Sequence, residues 1–544
     1  MSASQPALSL IKSLAYIDGR WCEAHSGRHF EVLNPANGQI ITQVPDMEEV
    51  DTRCAIEAAS AAQAPWAALT AKERSNKLYA WFELIMANQD ELARIMTCEQ
   101  GKPLAEAKGE VAYGASFIQW FAEEGKRAYG RTIPGFSSDR RLATIKQPVG
   151  VVAAITPWNF PIAMITRKAG PALAAGCTIV IKPAAETPLC ALALAALAEA
   201  AGIPAGVINI VTTHHSSAVG NELCNNKAVR KLSFTGSTRI GKLLMRQCAD
   251  TMKKLSLELG GNAPFIVFDD ADLDAAITGA LASKYRNAGQ TCVCANRILV
   301  QAGVYDAFAE KLTAAVQGFK VGDGMSEGAQ IGPLINPAAA SKVAELVKQA
   351  EAAGAKVLVG GEPHPAGPLF YQPTILGNVD KTNPILQEEI FGPVAPLVRF
   401  DTEAEAIAIA NDTPYGLAAY FYGRDIARVW RVAEQLEYGM VGINEGIIST
   451  ELAPLWRHQG VGSGPRRGGR GAGRVSGNQI SLLWGHSLGA DLYQTPASPF
   501  SRRRSKPPHL AGKEMRRQPP SLSEGGLGWG PAIKLQRAFA GIPS

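Results

Sequence analysis

The chain has 544 residues, of which 46% are hydrophobic and 19% are charged, and its formal net charge is +5. This composition excludes a wholly disordered or fibrous protein, and the length suggests roughly two to four domains. No apolar run reaches the length of a membrane-spanning helix, so we expect no membrane partner. The nine cysteines are irregularly spaced and the opening residues lack a secretory-signal pattern, so we predict a cytoplasmic protein without a disulfide framework.

The charge is distributed unevenly along the chain. Residues 455–544 contain 14 Lys and Arg but only 3 Asp and Glu, whereas residues 1–454 contain 40 and 46. The last segment also contains 16 Gly and 9 Pro and none of the cysteines. The change in composition near Pro454 therefore predicts a folded part of the chain followed by an irregular, basic tail rich in Gly, Pro and Arg.

The first third of the chain contains predicted helices and a predicted hairpin. Residues 50–125 have the periodicity of amphipathic helices, and residues 126–148 combine turn residues with the alternation of a β-hairpin. Such a hairpin beside a sheet is either an arm that reaches another subunit or a surface hairpin without a partner. The pattern alone leaves both interpretations open.

Short β-branched runs then alternate with longer runs rich in Ala and Leu. The predicted strands lie at residues 149–155, 178–182, 207–211, 230–236, 264–268 and 298–300, and the predicted helices at 162–175, 187–202 and 272–287. Strands separated by helices in this way favour right-handed crossovers and a parallel sheet covered on both faces. The alternation restarts at residue 264, so we predict an α/β fold with two such units in sequence.

Cys292 is the candidate nucleophile. It lies between a predicted helix and a predicted strand, in a polar loop where backbone N–H groups can face an oxyanion. A thiolate is a good nucleophile near neutral pH, and a loop keeps it accessible. Cys294 is either a partner for a reversible disulfide with Cys292 or a packing residue. We predict no metal site, because the nearest histidines, His215 and His364, are each at least seventy residues from this pair.

Two further features are weaker when taken alone. Glu258 ends an apolar run beside two glycines, where a desolvated carboxylate suits general-base chemistry; the alternative is a strand-end acid in solvent. The sequence FTGST at 234–238, between a strand and a helix, is a candidate phosphate-binding loop. The dinucleotide fingerprint G-x-G-x-x-G does not follow any of the first four predicted strands.

Six motifs occur in the order and spacing of one enzyme superfamily. They are ITPWNFP (155–161), VIKPA (180–184), FTGST (234–238), LELGG (257–261), GQTC (289–292) and EEIFGPV (388–394). Through them, residues 15–454 resemble the aldehyde dehydrogenase superfamily. Three further segments are similar to its succinate-semialdehyde branch, namely MITRK (164–168), RNAGQTCVCANR (286–297) and NEGIIS (444–449). Relatives that act on glutarate semialdehyde look nearly the same.

The resemblance implies a fold, a domain organisation and partners. It implies two doubly wound, Rossmann-like parallel-sheet domains and a small β oligomerisation arm. Residues 1–125 and 149–257 would form the NAD(P)-binding domain, 126–148 the oligomerisation hairpin and 258–454 the catalytic domain. A small-molecule semialdehyde and, with an intact C-terminus, a homodimer or homotetramer are the implied partners, and no nucleic acid is expected.

The resemblance also implies a catalytic set. Cys292 attacks the aldehyde carbon, and its backbone N–H together with the side-chain amide of Asn159 holds the developing oxyanion. Glu258 then activates the water that hydrolyses the resulting thioester. Lys168 lies on a proton route from Glu258.

The implied cofactor is NADP, with NAD also possible. The residues carried over as its binding set are Thr156, Pro157, Trp158, Lys182, Ala185, Gly236, Ser237, Glu389 and Phe391. Relatives often have Glu three residues after the lysine of the VIKPA motif, where it binds the ribose 2′-hydroxyl and repels a 2′-phosphate. Here that position is Ala185 and Glu186 is displaced by one, which favours NADP.

A semialdehyde with a distal carboxylate needs a cationic clamp at the end of the pocket opposite the thiol. Arg167 follows the Asn159 turn by eight residues, and Arg286 precedes Cys292 by six. A guanidinium pair matches a carboxylate better than lysine does, so we predict these arginines, with the hydroxyl of Ser449, as the substrate-binding set. Without the resemblance, an arginine on a helix is as readily a solvated one.

The tail departs from the resemblance. Relatives continue past Pro454 with F-G-G-I-K-x-S-G-x-G-R-E-G, whereas this chain continues LWRHQGVGSGPRRGG. Residues 455–461 can be encoded by the codons CTT TGG CGG CAT CAA GGC GTC. If the first base of this series is lost and a G follows it, the codons read Phe-Gly-Gly-Ile-Lys-Ala-Ser. We therefore hypothesise that residues 455–544 are out-of-frame translation. The alternative is a genuine basic extension for nucleic acid or a lipid surface.

Overall fold

The computed structural model describes residues 8–452 and the backbone of two short strands further along the chain. The strands are β1 (Ala15–Ile17), β2 (Arg20–Cys22), β3 (His29–Leu33), β4 (Ile40–Pro45), β5 (Arg131–Pro134), β6 (Arg140–Thr144), β7 (Gln147–Pro148), β8 (Val151–Ile155), β9 (Ile179–Lys182), β10 (Ile208–Ile210), β11 (Val229–Thr235), β12 (Lys254–Glu258), β13 (Ala263–Val267), β14 (Ala295–Gln301), β15 (Lys356–Val359), β16 (Thr374–Gly377), β17 (Val394–Phe400), β18 (Ala418–Tyr422), β19 (Met440–Ile443), β20 (Tyr493–Gln494) and β21 (Ala497–Ser501). The α-helices are α1 (Glu49–Ala68), α2 (Ala71–Ala87), α3 (Gln89–Gln100), α4 (Leu104–Glu124), α5 (Pro161–Ala174), α6 (Pro188–Ala200), α7 (Ser216–Asn225), α8 (Thr238–Cys248), α9 (Leu273–Lys284), α10 (Tyr305–Gln317), α11 (Pro337–Ala352), α12 (Glu403–Asn411) and α13 (Ile426–Gln435). Among the described residues, no helix combines the length and the apolar character needed to span a bilayer.

The first sheet contains seven strands in the order β12-β11-β8-β9-β10-β1-β2. Strands β8 to β12 run parallel, and β1 and β2 extend the sheet in an antiparallel arrangement. Helix α5 connects β8 to β9 and helix α6 connects β9 to β10, which are the crossovers that parallel strands require. The alternation of strands and helices predicted for this part of the chain is confirmed.

The second sheet also contains seven strands, in the order β15-β16-β17-β14-β13-β18-β19. Neighbouring strands are parallel except for β15 and β16. Strands β13 and β18 are wholly buried, as expected for parallel strands with helices on both faces. The predicted α/β fold with two parallel-sheet units is therefore confirmed.

One predicted helix is shorter than the pattern indicates. The sequence predicts a helix over 272–287, but α9 ends at Lys284. Asn287, Ala288 and Gly289 follow with φ of 53°, 53° and 74°, and consecutive left-handed residues cannot continue a right-handed helix. The chain therefore turns sharply just before Cys292, and this turn rather than a helix presents the thiol.

Helix α4 connects the N-terminal helices to the first sheet. It packs against α2, α3 and α5 in the largest apolar cluster of this part of the molecule. Inside the cluster, the indole N–H groups of Trp66 and Trp81 donate to the carbonyls of Leu173 and Leu194, each at 3.1 Å, so their polar atoms are satisfied. This packing places α4 beside the start of α5, immediately after the Asn159 turn.

The predicted hairpin is present at β5 and β6, which pair antiparallel. The other edge of β6 pairs with β21, and β7 pairs with β20, so two short backbone segments of the tail accompany this hairpin. The role of residues 126–148 in oligomerisation stays a prediction. Apart from those two strands, residues 455–544 lie outside the described residues. The frameshift hypothesis and the basic-extension alternative both concern this segment, so they stay predictions.

Candidate active site

Four parallel strands of the first sheet end at one edge. Ile155 on β8 lies opposite Lys182 on β9, and Thr235 on β11 lies opposite Glu258 on β12. Beyond these strands, the N–H of Gly236 donates to the carbonyl of Glu258 at 3.0 Å. Because the carboxyl ends of parallel strands share an edge, the motifs that follow β8, β9, β11 and β12 come together there.

The turn between β8 and α5 holds Asn159, which is only 4% exposed. Its Nδ2 donates to the carbonyl of Gln290 at 3.0 Å, and its own carbonyl accepts a hydrogen bond from Nδ2 of Asn287 at 3.1 Å. Its Oδ1 is buried without a hydrogen-bond partner among the described residues. The Asn159 amide thus lies beside the loop that carries Cys292; its function as an oxyanion donor stays a prediction.

The loop before the candidate nucleophile has a strained backbone. Asn287 and Ala288 are left-handed although neither is glycine, which costs about 1–2 kcal/mol per residue. Gln290 anchors this loop, since its side chain donates to the carbonyl of Asn287 at 3.1 Å and accepts a hydrogen bond from the N–H of Ile335 at 3.0 Å. Strain that is held in place by such contacts is typical of functional sites.

Cys292 is half-buried at the end of this loop, close to the turn that connects β12 of the first sheet to β13 of the second. A Cβ on Gly261 would lie 2.3 Å from the carbonyl oxygen of Cys292, and a Cβ on Gly260 would lie 2.4 Å from the carboxylate of Glu389. Oε1 of Glu389 accepts the N–H of Gly261 at 2.9 Å. Only glycine permits these approaches, so the LELGG turn brings residues of the second sheet against the edge of the first.

Lys168 on α5 lies next to the candidate base. Its Nζ donates to Oγ1 of Thr235 at 2.7 Å, and Thr235 is the register neighbour of Glu258. Burial lowers the pKa of Lys168 to about 7, and the nearby negative charge of Glu258 opposes that shift. Lys168 therefore gains and loses a proton near neutral pH, beside a Glu258 that is half-buried rather than fully solvated.

The same strand ends offer polar groups for a ligand. Oγ1 of Thr156 and Oγ1 of Thr238 are buried and have no hydrogen-bond partner among the described residues. Ser237 caps helix α8 by accepting the N–H of Ile240 at 3.4 Å, so the N-terminus of this helix also lies at the edge. A helix N-terminus beside unpaired polar atoms suits a phosphate group, and these residues fit a dinucleotide cofactor.

Lys182 and an aromatic pair belong to the same predicted set. Burial lowers the pKa of Lys182 to about 8, and the negative charge of Glu186 opposes that shift. The rings of Trp158 and Phe391 pack edge to face with their centroids 5.6 Å apart, which joins the β8 turn to the EEIFGPV segment. The remaining predicted members at these strand ends, Pro157 and Ala185, are half-buried.

Both predicted substrate arginines are shielded from solvent. Arg167 is 3% exposed, donates to the hydroxyl of Tyr113 and lies 4.7 Å from the ring centroid of Phe117. Arg286 is half-buried and lies 5.4 Å from the ring centroid of Phe160. The Nε of each arginine is buried without a hydrogen-bond partner in the described part of the chain. The solvated alternative is therefore wrong for Arg167.

The two arginines border one small apolar cluster, which contains Phe160, Ala163 and Met164 with Tyr113 packed against it. Within the described residues, neither arginine forms an ion pair with a carboxylate. The carboxylate of Glu106 interacts electrostatically with Arg286, but a shielded arginine without a direct ion pair is still costly, so this arrangement favours an anionic ligand. Ser449 is half-buried in the segment after β19, and its part in the clamp stays a prediction.

Cys294 is buried behind the nucleophile loop. Its Sγ donates to the carbonyl of Gly289 at 3.3 Å and lies 4.0 Å from Nζ of the buried Lys284. Burial raises the pKa of the Cys294 thiol and lowers that of Lys284, which is the opposite of a reactive thiolate environment. None of the nine cysteines forms a disulfide bond in the described part of the chain, and the redox function of Cys294 stays a prediction. The described residues contain no group of three His, Cys, Asp or Glu side chains arranged for a metal ion.

A buried charged cluster beside Asn159 has no counterpart in the sequence analysis. Lys102 is 2% exposed and forms an ion pair with Glu110, which is 4% exposed. Glu106, one turn earlier on α4, accepts the N–H of Asn287 at 2.8 Å. The only signal in the sequence is a pair of acids four residues apart on an amphipathic helix, which is more often a solvated pair.

Comparisons with known proteins agree with these observations. A model of the aldehyde dehydrogenase family matches residues 21–472. The glutarate-semialdehyde dehydrogenase of Pseudomonas aeruginosa is 63% identical over 446 residues, which cover 82% of this chain and 92% of that protein. The NADP(+) succinate-semialdehyde dehydrogenase of Escherichia coli K12 is 63% identical over 447 residues, with the same coverage of each chain.

Solved structures are similar over most of the chain. The crystal structure of succinate-semialdehyde dehydrogenase from Burkholderia pseudomallei has a TM-score of 0.86 and 54% identity, and the match covers 92% of this chain and 100% of that one. The crystal structure of an Escherichia coli NADP-dependent enzyme has a TM-score of 0.85 and 57% identity, covering 91% and 99%.

Proposed function

Because this chain belongs to the aldehyde dehydrogenase family, we propose that it oxidises succinate semialdehyde to succinate with NADP. Glutarate semialdehyde is the alternative substrate, since a relative of that name is as similar to this chain as one named for succinate semialdehyde. The observation that carries the proposal is the half-buried thiol of Cys292 in a loop beside the Asn159 turn, together with two arginines whose Nε groups are buried without a hydrogen-bond partner among the described residues. Such a site suits a substrate with an electrophilic carbon at one end and a carboxylate at the other.

In the proposed mechanism, the Cys292 thiolate adds to the aldehyde carbon and forms a thiohemiacetal. The backbone N–H of Cys292 and the side-chain amide of Asn159 hold the oxyanion. Loss of hydride from this carbon gives a thioester. Glu258 then takes a proton from water, which attacks the thioester and releases succinate and the free thiol. The NADP-binding part would comprise residues 1–125 and 149–257, and the catalytic part residues 258–454.

Proton transfer after hydrolysis would use Lys168. Its amine has a pKa of about 7 and donates to Thr235, the register neighbour of Glu258. An amine that is partly neutral at working pH accepts a proton readily. We infer that Lys168 removes the proton that Glu258 has taken from water, so that the carboxylate is ready for the next turnover.

NADP is the hydride acceptor when it is bound. Thr156, Lys182 and the N-terminus of α8 would hold its ribose and phosphate groups, and Trp158 with Phe391 would line the nicotinamide end. Ala185 lacks the carboxylate that would repel a 2′-phosphate, and the positive charge of Lys182 attracts such a phosphate. These features favour NADP over NAD, with NAD also accepted.

The carboxylate of the semialdehyde would be held by Arg167 and Arg286, with the hydroxyl of Ser449. The unpaired Nε groups of both arginines support this, because a bound carboxylate neutralises them and replaces the missing hydrogen bonds. The rings around them would pack against the aliphatic part of the substrate. A neutral aldehyde would leave both arginines without a direct ion pair, which is the physical basis of the proposed specificity.

Steady-state formation of NADPH tests this proposal. We expect turnover of succinate semialdehyde, slower turnover of butanal, which lacks the carboxylate, and complete loss of activity in Cys292→Ala. Cys54→Ala, at an exposed cysteine, is the matched control and should keep full activity. Equal kcat/KM for butanal and the semialdehyde would contradict the arginine clamp, and a higher value for glutarate semialdehyde would favour the alternative substrate.

The second candidate is that this chain is a frameshifted translation product without catalytic activity. It is favoured by the sequence after Pro454, which replaces the family motif by LWRHQGV and so removes residues that relatives use to close the site. We propose that a chain with the restored frame forms a homodimer or homotetramer in the cytoplasm, where free cysteines are expected. Absence of turnover in the present chain, with turnover in the restored one, would establish this candidate.

A further inference from the structure

We propose that Lys102 and Glu110 are positioning residues for Asn159. This role rests on the proposed function of Asn159 as an oxyanion donor. Both side chains are almost inaccessible, and they form an ion pair with one another. Their remaining hydrogen bonds go to the backbone of the Asn159 turn and to the start of helix α5.

Lys102 holds the backbone of Asn159. Its Nζ donates to the Asn159 carbonyl at 2.8 Å and lies 4.0 Å from the ring centroid of Phe160, the next residue. Nδ2 of Asn287 donates to the same carbonyl at 3.1 Å. Two donors on one carbonyl restrict rotation of this peptide, and they therefore set the direction in which the Asn159 side chain leaves the backbone.

Glu110 fixes the start of α5. One carboxylate oxygen pairs with Lys102, and the other accepts the N–H groups of Ile162 and Ala163 at 3.0 and 3.2 Å. These N–H groups have no partner within the helix, and the helix dipole stabilises a negative charge at this end. Since α5 also carries the proposed substrate and proton-route residues, the same carboxylate connects them to the Asn159 turn.

The nucleophile loop is held by the same part of the chain. Oε2 of Glu106 accepts the N–H of Asn287 at 2.8 Å, and Nε2 of Gln100 donates to Oδ1 of Asn287 at 3.0 Å. Oε1 of Gln100 accepts the N–H of Lys102 at 3.0 Å. Residues 100–110 thus contact both sides of the proposed oxyanion site, so they determine how the amide and the thiol face one another.

A positioning role and a merely structural role predict different effects of removing this ion pair. Replacing a buried pair by uncharged side chains of similar size is often neutral or stabilising, so a merely structural role predicts a small effect of removing both charges. A positioning role predicts a loss of rate instead, because a displacement of about 1 Å at a reacting group costs about 100-fold.

The test uses the full chain with the paired substitution Lys102→Met and Glu110→Gln, which leaves no unpaired buried charge. The assay is hydrolysis of p-nitrophenyl acetate, an acyl transfer that needs a thiol and an oxyanion donor but neither NADP nor a semialdehyde. We expect kcat to fall about 10- to 100-fold with KM changed less than about 3-fold. The midpoint of thermal unfolding should remain close to that of the wild type.

A double-mutant cycle with Asn159→Ala tests whether the paired substitution lowers kcat through the Asn159 side chain. Without the amide there is nothing left to position, so the paired substitution should lower kcat by less than about 2-fold in that background. A full additional loss in the Asn159→Ala background would overturn the proposal. If the paired variant does not fold, Lys102→Arg keeps the charge but moves the donors, and it should show the same loss confined to kcat.

Glu99→Gln is the matched control. Glu99 is 1% exposed and caps α6 through the N–H groups of Leu189 and Cys190 at 2.7 and 2.8 Å, as Glu110 caps α5. We expect its kcat to equal that of the wild type, and a loss as large as that of the paired variant would overturn the proposal.

The failure of this proposal is distinguishable from the failure of the proposed function. If ester hydrolysis persists in Cys292→Ala, the function proposed for that thiol fails and the positioning role falls with it. If hydrolysis needs Cys292 but proceeds at the wild-type rate in the paired variant, only the positioning role is refuted.

Discussion

Replacing Lys168 by methionine measures the cost of keeping an amine in the core. Burial lowers its pKa from 10.5 to about 7, a difference worth about 5 kcal/mol of unfolding free energy. This cost is complete below the folded pKa, where folding must bury a charge, and it disappears as the pH rises through the unfolded pKa. It amounts to about 4 kcal/mol at pH 7 and about 2 kcal/mol at pH 9.

We therefore expect Lys168→Met to unfold at higher urea concentration than the wild type at pH 7. The variant also loses the hydrogen bond to Thr235, worth about 1 kcal/mol at either pH, so its net advantage at pH 7 is about 3 kcal/mol. That advantage should shrink by about 2 kcal/mol at pH 9. Urea denaturation at both pH values measures the difference.

Lys108→Met is the control, because the Lys108 side chain is 43% exposed. Its stability relative to the wild type should be the same at pH 7 and pH 9. An advantage of Lys168→Met that does not change between these pH values would refute the buried-amine argument. The rise of wild-type kcat through about pH 7 should also be lost in Lys168→Met, since neutral Lys168 is the proposed proton acceptor.

Four further outcomes are expected. Arg286→Gln should raise KM for succinate semialdehyde about 10- to 100-fold and leave KM for butanal unchanged, because hydrogen bonds to charged groups contribute about 1.5–3 kcal/mol; equal changes for both substrates in steady-state kinetics would contradict the clamp. Ala185→Glu should weaken the binding of NADP about 10-fold relative to the binding of NAD in fluorescence titrations. Equal losses of affinity for both cofactors would contradict the proposed cofactor contact. Gly261→Ala should lower kcat about 100-fold, because its Cβ would lie 2.3 Å from the Cys292 carbonyl oxygen; an unchanged kcat would show that the loop adapts. A DNA read at codon 455 that cannot encode the family motif in the other frame would rule out the frameshift hypothesis.

Local sequence patterns were sufficient for most of the fold. The β-branched runs at 149–155 and 178–182 became β8 and β9 within two residues, because a buried parallel strand needs an almost continuous apolar segment. The helix predicted to reach residue 287 was wrong at its end. Its helical pattern continues into Asn287 and Ala288, and only tertiary contacts to that loop stabilise left-handed residues there.

Motif order likewise identified the family and predicted the candidate nucleophile and the cofactor segments, because these residue types are specific to one chemistry at fixed places along the chain. Which charged groups are buried was decided by the tertiary structure. Glu110 looks like an ordinary helix-surface residue in sequence, and Lys102 lies just before the same helix. Their proposed function depends on α4 packing against the start of α5. Periodicity reports which face of an element is apolar, whereas the partner of a buried charge depends on elements that are distant in sequence.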